Sequence, residues 1–109
     1  MGYLEFIEEK EKKKDLLREE ALKEAERLSN LLRKEFKYDA LYLIGSIIKD
    51  RGFTRQSDID FVIKGLQKEF FFKALAFLIH NCNFHIDLKP FEELDAASRL
   101  MVEKKGRKL

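Results

Sequence analysis

Gly45-Ser46-Ile47-Ile48-Lys49-Asp50-Arg51-Gly52-Phe53-Thr54-Arg55-Gln56-Ser57-Asp58-Ile59-Asp60 decides how this chain is read. Upstream lies a short apolar run, Tyr38-Asp39-Ala40-Leu41-Tyr42-Leu43-Ile44, stopped by the Gly45-Ser46 pair. That pattern predicts a buried strand followed by a turn. Ser46 is expected to cap a short helix over Ile47 to Lys49. Arg51 to Gln56 is expected to be a polar loop, and Ser57 to Gly65 a second strand with a glycine stop. Residues two apart on a strand share a face, so Asp58 and Asp60 lie on one side with Val62, while Ile59, Phe61 and Ile63 point into a core.

Working outward, Gln67 to His80 reads as a helix and Asn83 to Lys89 alternates as a third strand, ended by Pro90. Phe91 to about Lys104 reads as the last helix. At the other end, residues 3 to about 36 read as one long helix. Leu17, Ala21, Ala25, Leu28, Leu32 and Phe36 recur at steps of three and four, one face turned to a core. Ahead of that stripe, Glu8 to Asp15 is charged throughout, and Tyr3, Leu4, Phe6 and Ile7 form a separate apolar cluster suited to a frayed arm or a partner hook. Strands alternating with helices predict an α/β (α+β) fold, a small mixed β-sheet with helices packed on it. The expected organisation is an N-terminal helix over 1–37, a compact domain over 38–104 and a basic tail over 105–109.

On the third strand Phe84, Ile86 and Leu88 share one side, with Asn83, His85, Asp87 and Lys89 on the other. If that strand neighbours the second with apolar faces together, Asp87 joins Asp58 and Asp60. Three carboxylates repel one another, and a divalent cation resolves the repulsion; oxygen-only ligands select Mg²⁺ or Mn²⁺ over zinc. Glycine allows close backbone approach, and a helix start offers free N–H groups, so Gly45 and Ser46 form a candidate phosphate seat. Lys49 or Arg51 supplies the neutralising charge.

A strand, Gly-Ser, a gap, Ser-Asp-Ile-Asp on a second strand and an inward Asp on a third together resemble the minimal nucleotidyltransferases of the DNA polymerase beta superfamily. Gly45 to Asp60 carries most of the likeness, and Phe84-His85-Ile86-Asp87-Leu88 supplies the third acid. The resemblance covers about Tyr38 to Lys104. The gap from Ser46 to Asp58 is about one residue longer than in many members, and the long N-terminal helix is more than the minimal domain needs. What the resemblance implies is transfer of a nucleoside monophosphate, AMP from ATP, to a hydroxyl. Two Mg²⁺ ions would be held by Asp58, Asp60 and Asp87, with the β- and γ-phosphates at Gly45 and Ser46. Members of this class often pair with a helical protein of the HEPN type, as the antitoxin half of a toxin–antitoxin module, and some add AMP to a tyrosine of that toxin. The alternatives are an antitoxin or adaptor acting by binding alone, and transfer to RNA or a small molecule.

Composition is consistent with this reading. The chain has 109 residues, one domain's worth, with 45% hydrophobic and 39% charged residues, which excludes collagen-like and generally disordered classes. Its 22 basic and 20 acidic residues leave a net charge of +2, so bulk electrostatic binding of nucleic acid is not expected. No apolar run is long enough to span a bilayer, and the first residues lack the pattern of a secretory signal. A single cysteine, Cys82, makes no internal disulfide, and a cytoplasmic location is expected. His85 shares the face of Asp87 and reads as an edge histidine, while His80 reads as a helix end. Around the Gln67–His80 helix, apolar residues wrap more than half the circumference, enough to pack on the sheet and also meet a partner or a second copy.

Overall fold

The structure, a computed structural model, describes residues 3–49 and 52–109, with side chains from Asp15 onward. The Tyr3, Leu4, Phe6 and Ile7 side chains and Arg51 lie outside the described residues. The chain runs α1 (Tyr3–Glu35), β1 (Ala40–Ile44), β2 (Asp58–Lys64), α2 (Phe71–His80), β3 (His85–Pro90), α3 (Ala96–Lys105) and β4 (Arg107–Lys108). The four strands form one mixed sheet in the order β3-β2-β1-β4. β1 is antiparallel to both β2 and β4, and β2 is parallel to β3. The parallel pair is joined through α2, as a crossover connection requires.

The alternation of the strands builds two apolar layers. Leu41, Leu43, Ile59, Phe61, Ile63 and Leu88 face one way and are buried against Ala21, Ala25, Leu28 and Leu32 of α1 and Ala74 and Leu78 of α2. The second half of α1 is therefore an integral wall of the core, and its two alanines let the helix approach the sheet closely. On the other face Ala40, Tyr42 and Val62 pack with Phe91 and with Val102 of α3. That smaller cluster lies on the same face of the sheet as Asp58 and Asp60, which alternate with the core residues of β2.

Several expectations are corrected. Gly45–Ile47 is a single 3-10 turn whose cap position is Ile44, with no side-chain cap bond, so Ser46 sits inside the turn and does not cap it. The Gln67–His80 helix begins as a 3-10 turn over Lys68–Phe70 before α2. The strand expected over Asn83 to Lys89 and stopped by Pro90 begins at His85 and takes in Pro90 as its last residue, opposite Ile63. Its missing N–H is tolerated because β3 is an edge strand. The expected helix from Phe91 is a 3-10 turn over Phe91–Glu93, then a break at Leu94, then α3. Asp95 restarts the helix by accepting a 2.7 Å hydrogen bond from the Ser98 backbone N–H, and that bond holds its carboxyl below the usual range. The basic tail folds back as β4, its Arg107 and Lys108 paired with Leu43 and Tyr42, and the Leu109 N–H donates to the Leu41 carbonyl at 2.9 Å.

Candidate active site

β2 and β3 place the acids. Their parallel register sets Asp60 directly beside Asp87 and Asp58 beside His85. Adjacent strands lie about 4.8 Å apart, so the Asp60 and Asp87 carboxylates are neighbours on one face. Asp60 is half-buried and Asp58 exposed. Burial, then the Asp87 charge, pushes the Asp60 carboxyl up; Asp58 adds to the rise, and Lys89 opposes it.

The Gly-Ser turn meets the same spot from β1. Ile44 is paired with Asp60 in the antiparallel register, and Gly45 follows with a φ of 80°. A Cβ added at Gly45 would overlap the Asp60 carboxylate. Glycine is required here twice over, by the left-handed backbone and by the close approach. Fully buried Ile47 anchors the turn, and Arg18 of α1 donates its Nε–H to the Ile47 carbonyl at 2.7 Å. The long helix thus ties down the turn as well as the core. A single 3-10 turn has almost no macrodipole, so a phosphate seat here rests on local N–H groups and nearby cations, not on a helix dipole.

The loop before β2 is more ordered than its polar sequence suggests. Ser57 Oγ accepts from the Thr54 backbone N–H at 2.9 Å, and the Ser57 backbone N–H donates to the Thr54 carbonyl at 3.0 Å. Phe53 is 2% exposed and packs on Phe84, ring centroids 6.2 Å apart. This buried aromatic pins the loop that delivers Asp58. Sequence reading missed it, although a lone Phe in a polar loop is the signal that could have found it.

Beside Gly45 opens a cleft of about 490 Å³ between the turn and α3. Lys49, Lys89 and Lys105 line it together with Ile48, Leu94 and Met101. Lys49 therefore belongs to the site neighbourhood, and Lys89, Lys105 and Met101 are additions that the sequence did not single out. Lys89 Nζ is hydrogen-bonded to Asp87 Oδ2. That bond pushes the Lys89 ammonium up, burial opposes it, and the Asp87, Asp60 and Asp58 charges add to the rise. Among the described residues, no three His, Cys, Asp or Glu side chains already close around one point. The donor set nonetheless suits a hard divalent cation: all its donors are carboxylate oxygens, and the Asp60 carboxyl is pushed up first by burial and then by the Asp87 charge, both of which such a cation would offset. Elsewhere, Cys82 is a half-buried free thiol pushed up by burial, and His80 ends α2.

No family of known proteins matches the chain, and no curated protein and no solved structure matches it either.

Proposed function

We propose that the protein is a Mg²⁺-dependent nucleotidyltransferase that moves a nucleoside monophosphate, AMP from ATP, onto a hydroxyl of a partner protein. The observation that carries this reading is the convergence of three elements on one spot. Asp60 is paired with Ile44 on one side and Asp87 on the other, and Gly45 lies bare against its carboxylate.

Asp58, Asp60 and Asp87 would hold Mg²⁺, which when bound supplies charge neutralisation at the α-phosphate and acidifies the acceptor hydroxyl. The chain's own residues do the rest. Gly45 brings the turn against the Asp60 carboxylate, so that the turn's N–H groups would meet the triphosphate, and Lys49, on the wall of the adjoining cleft, meets its negative charge. Asp87 lies on the edge strand, where an acceptor can approach, and takes the hydroxyl proton. The acceptor oxygen forms a bond to the α-phosphorus, and the bond to pyrophosphate breaks.

The exposed apolar residues of α2, Phe72 at 78% and Ile79 at 53%, favour a second component of the function. They support binding to a protein partner, which by the family resemblance is a helical HEPN-type toxin. They equally support an antitoxin that acts by binding alone. The discriminating experiment incubates the protein with α-labelled ATP, Mg²⁺ and lysate of its own source, beside Asp60→Ala. An Asp60-dependent labelled protein band is the expected result. A labelled RNA or small molecule would move the acceptor, and no Asp60-dependent label would leave the binding-only reading.

A further inference from the structure

Lys89 stands two residues after Asp87 on the same face of β3, opposite Val62 in the register. Its ammonium is bonded to the Asp87 carboxylate. Both side chains remain accessible, 49% for Lys89 and 38% for Asp87, so burial does not lock the pair. The same lysine lines the cleft beside Gly45, with Lys49 and Lys105. Lys89 thus borders two places, a carboxylate cluster that wants a cation and a largely apolar cleft whose lining includes three lysines able to meet phosphates.

We propose that Lys89 is the resident counter-ion of the carboxylate site, and that a divalent cation on Asp87 releases its ammonium into the cleft to bind the substrate's phosphates. The proposal rests on the assignment of Asp58, Asp60 and Asp87 as metal ligands made above. A cation at Asp87 and an ammonium bonded to Asp87 repel each other, so the two compete for the same carboxylate. An accessible ion pair is weak, and lysine has a flexible stem with three donors, so exchange is inexpensive. Metal and polyphosphate then favour each other's binding through one side chain: the metal frees Lys89, and a phosphate that engages Lys89 vacates Asp87. Linkage makes this coupling reciprocal. Lys89 is a competitor of the metal at Asp87 and a binding residue for the nucleotide.

The test measures two affinities in the full chain by calorimetry. Mn²⁺ alone is titrated into the wild type, Lys89→Met, Lys49→Met and Asp60→Asn. The complex of Mg²⁺ with α,β-methylene ATP is then titrated into the first three. Lys89→Met is expected to bind Mn²⁺ about threefold or more tighter, from the loss of a competing ion pair, and to bind the nucleotide complex more weakly by a similar factor. These opposite signs are not the mark of a structural defect. Lys49→Met removes one charge from the same cleft but no bond to Asp87. It is expected to weaken the nucleotide complex, with a smaller effect on Mn²⁺ than Lys89→Met. If Lys89→Met loses its native circular dichroism, Lys89→Gln replaces it. Unchanged or weakened Mn²⁺ binding in the Lys89 variant overturns the counter-ion role, while the metal site itself stands on the wild type against Asp60→Asn. Tighter Mn²⁺ with unchanged nucleotide binding overturns release into the cleft. Wild type and Asp60→Asn binding Mn²⁺ alike overturns the metal-site reading and this proposal together.

Discussion

Gly45 is the residue on which the site's geometry turns. It holds a left-handed backbone at φ 80° and leaves the space that the Asp60 carboxylate fills. An alanine there meets both penalties at once. The left-handed conformation costs a non-glycine residue about 1–2 kcal/mol, and the methyl adds overlap with a half-buried carboxylate that has little room to retreat. Gly45→Ala is therefore expected to lower stability by about 1–3 kcal/mol in chemical denaturation and to abolish Asp60-dependent label transfer. A Gly45→Ala protein of wild-type stability would mean that the turn does not press on Asp60. At this scale the sequence was informative. Alternation placed Asp58, Asp60 and Asp87 on one side of two strands, and the register brings Asp60 and Asp87 together. It was uninformative about Lys89, because a lysine on a polar strand face looks the same whether solvated or bonded to the acid two residues before it.

At the scale of elements, the signals that succeeded were the repetitive ones. The α1 stripe predicted Ala21, Ala25, Leu28 and Leu32 as core, and all four are fully buried. Short, non-repetitive pieces were illegible. β4 is two charged residues, Arg107 and Lys108, which have no strand pattern of their own and pair because β1 offers an open edge. The break before α3 hides in Leu94-Asp95, where the Asp95 side chain competes for a backbone N–H and restarts the helix. The loop expected over Arg51 to Gln56 looked merely polar, yet its buried Phe53 packs on Phe84, the residue before β3. Truncating that anchor removes most of a fully buried aromatic side chain. Phe53→Ala is expected to destabilise the protein by about 3–5 kcal/mol. Since the same loop sets Asp58, Mn²⁺ affinity should fall even under conditions where circular dichroism shows a folded chain. A loss below about 1 kcal/mol would mean that the loop holds its shape through Thr54 and Ser57 alone.

At the scale of the whole molecule, the two faces of the sheet divide the labour. α1 and α2 cover one face, while α3 and the carboxylates share the other. α2 turns Ala74 and Leu78 inward and leaves Phe72 and Ile79 outside, so its apolar excess lies on the side away from the acids. A partner seated on α2 would reach Asp87 only around the β3 edge, the nearest border between the two faces. On this arrangement the proposed docking and the proposed chemistry are separable by mutation. Phe72→Lys replaces a side chain that is 78% exposed, so its effect on stability should stay within about 0.5 kcal/mol. Co-purification of the proposed protein partner should fall at least tenfold, and Mn²⁺ affinity should match the wild type within about twofold, because the new charge lies across the sheet from the carboxylates. If Phe72→Lys retains the partner while Asp60→Ala loses it, the acid face is the docking surface and the α2 phenylalanines serve only the fold. Were both variants to lose it, the partner would span the β3 edge and touch both faces at once, the geometry that the proposed transfer onto a partner's hydroxyl requires.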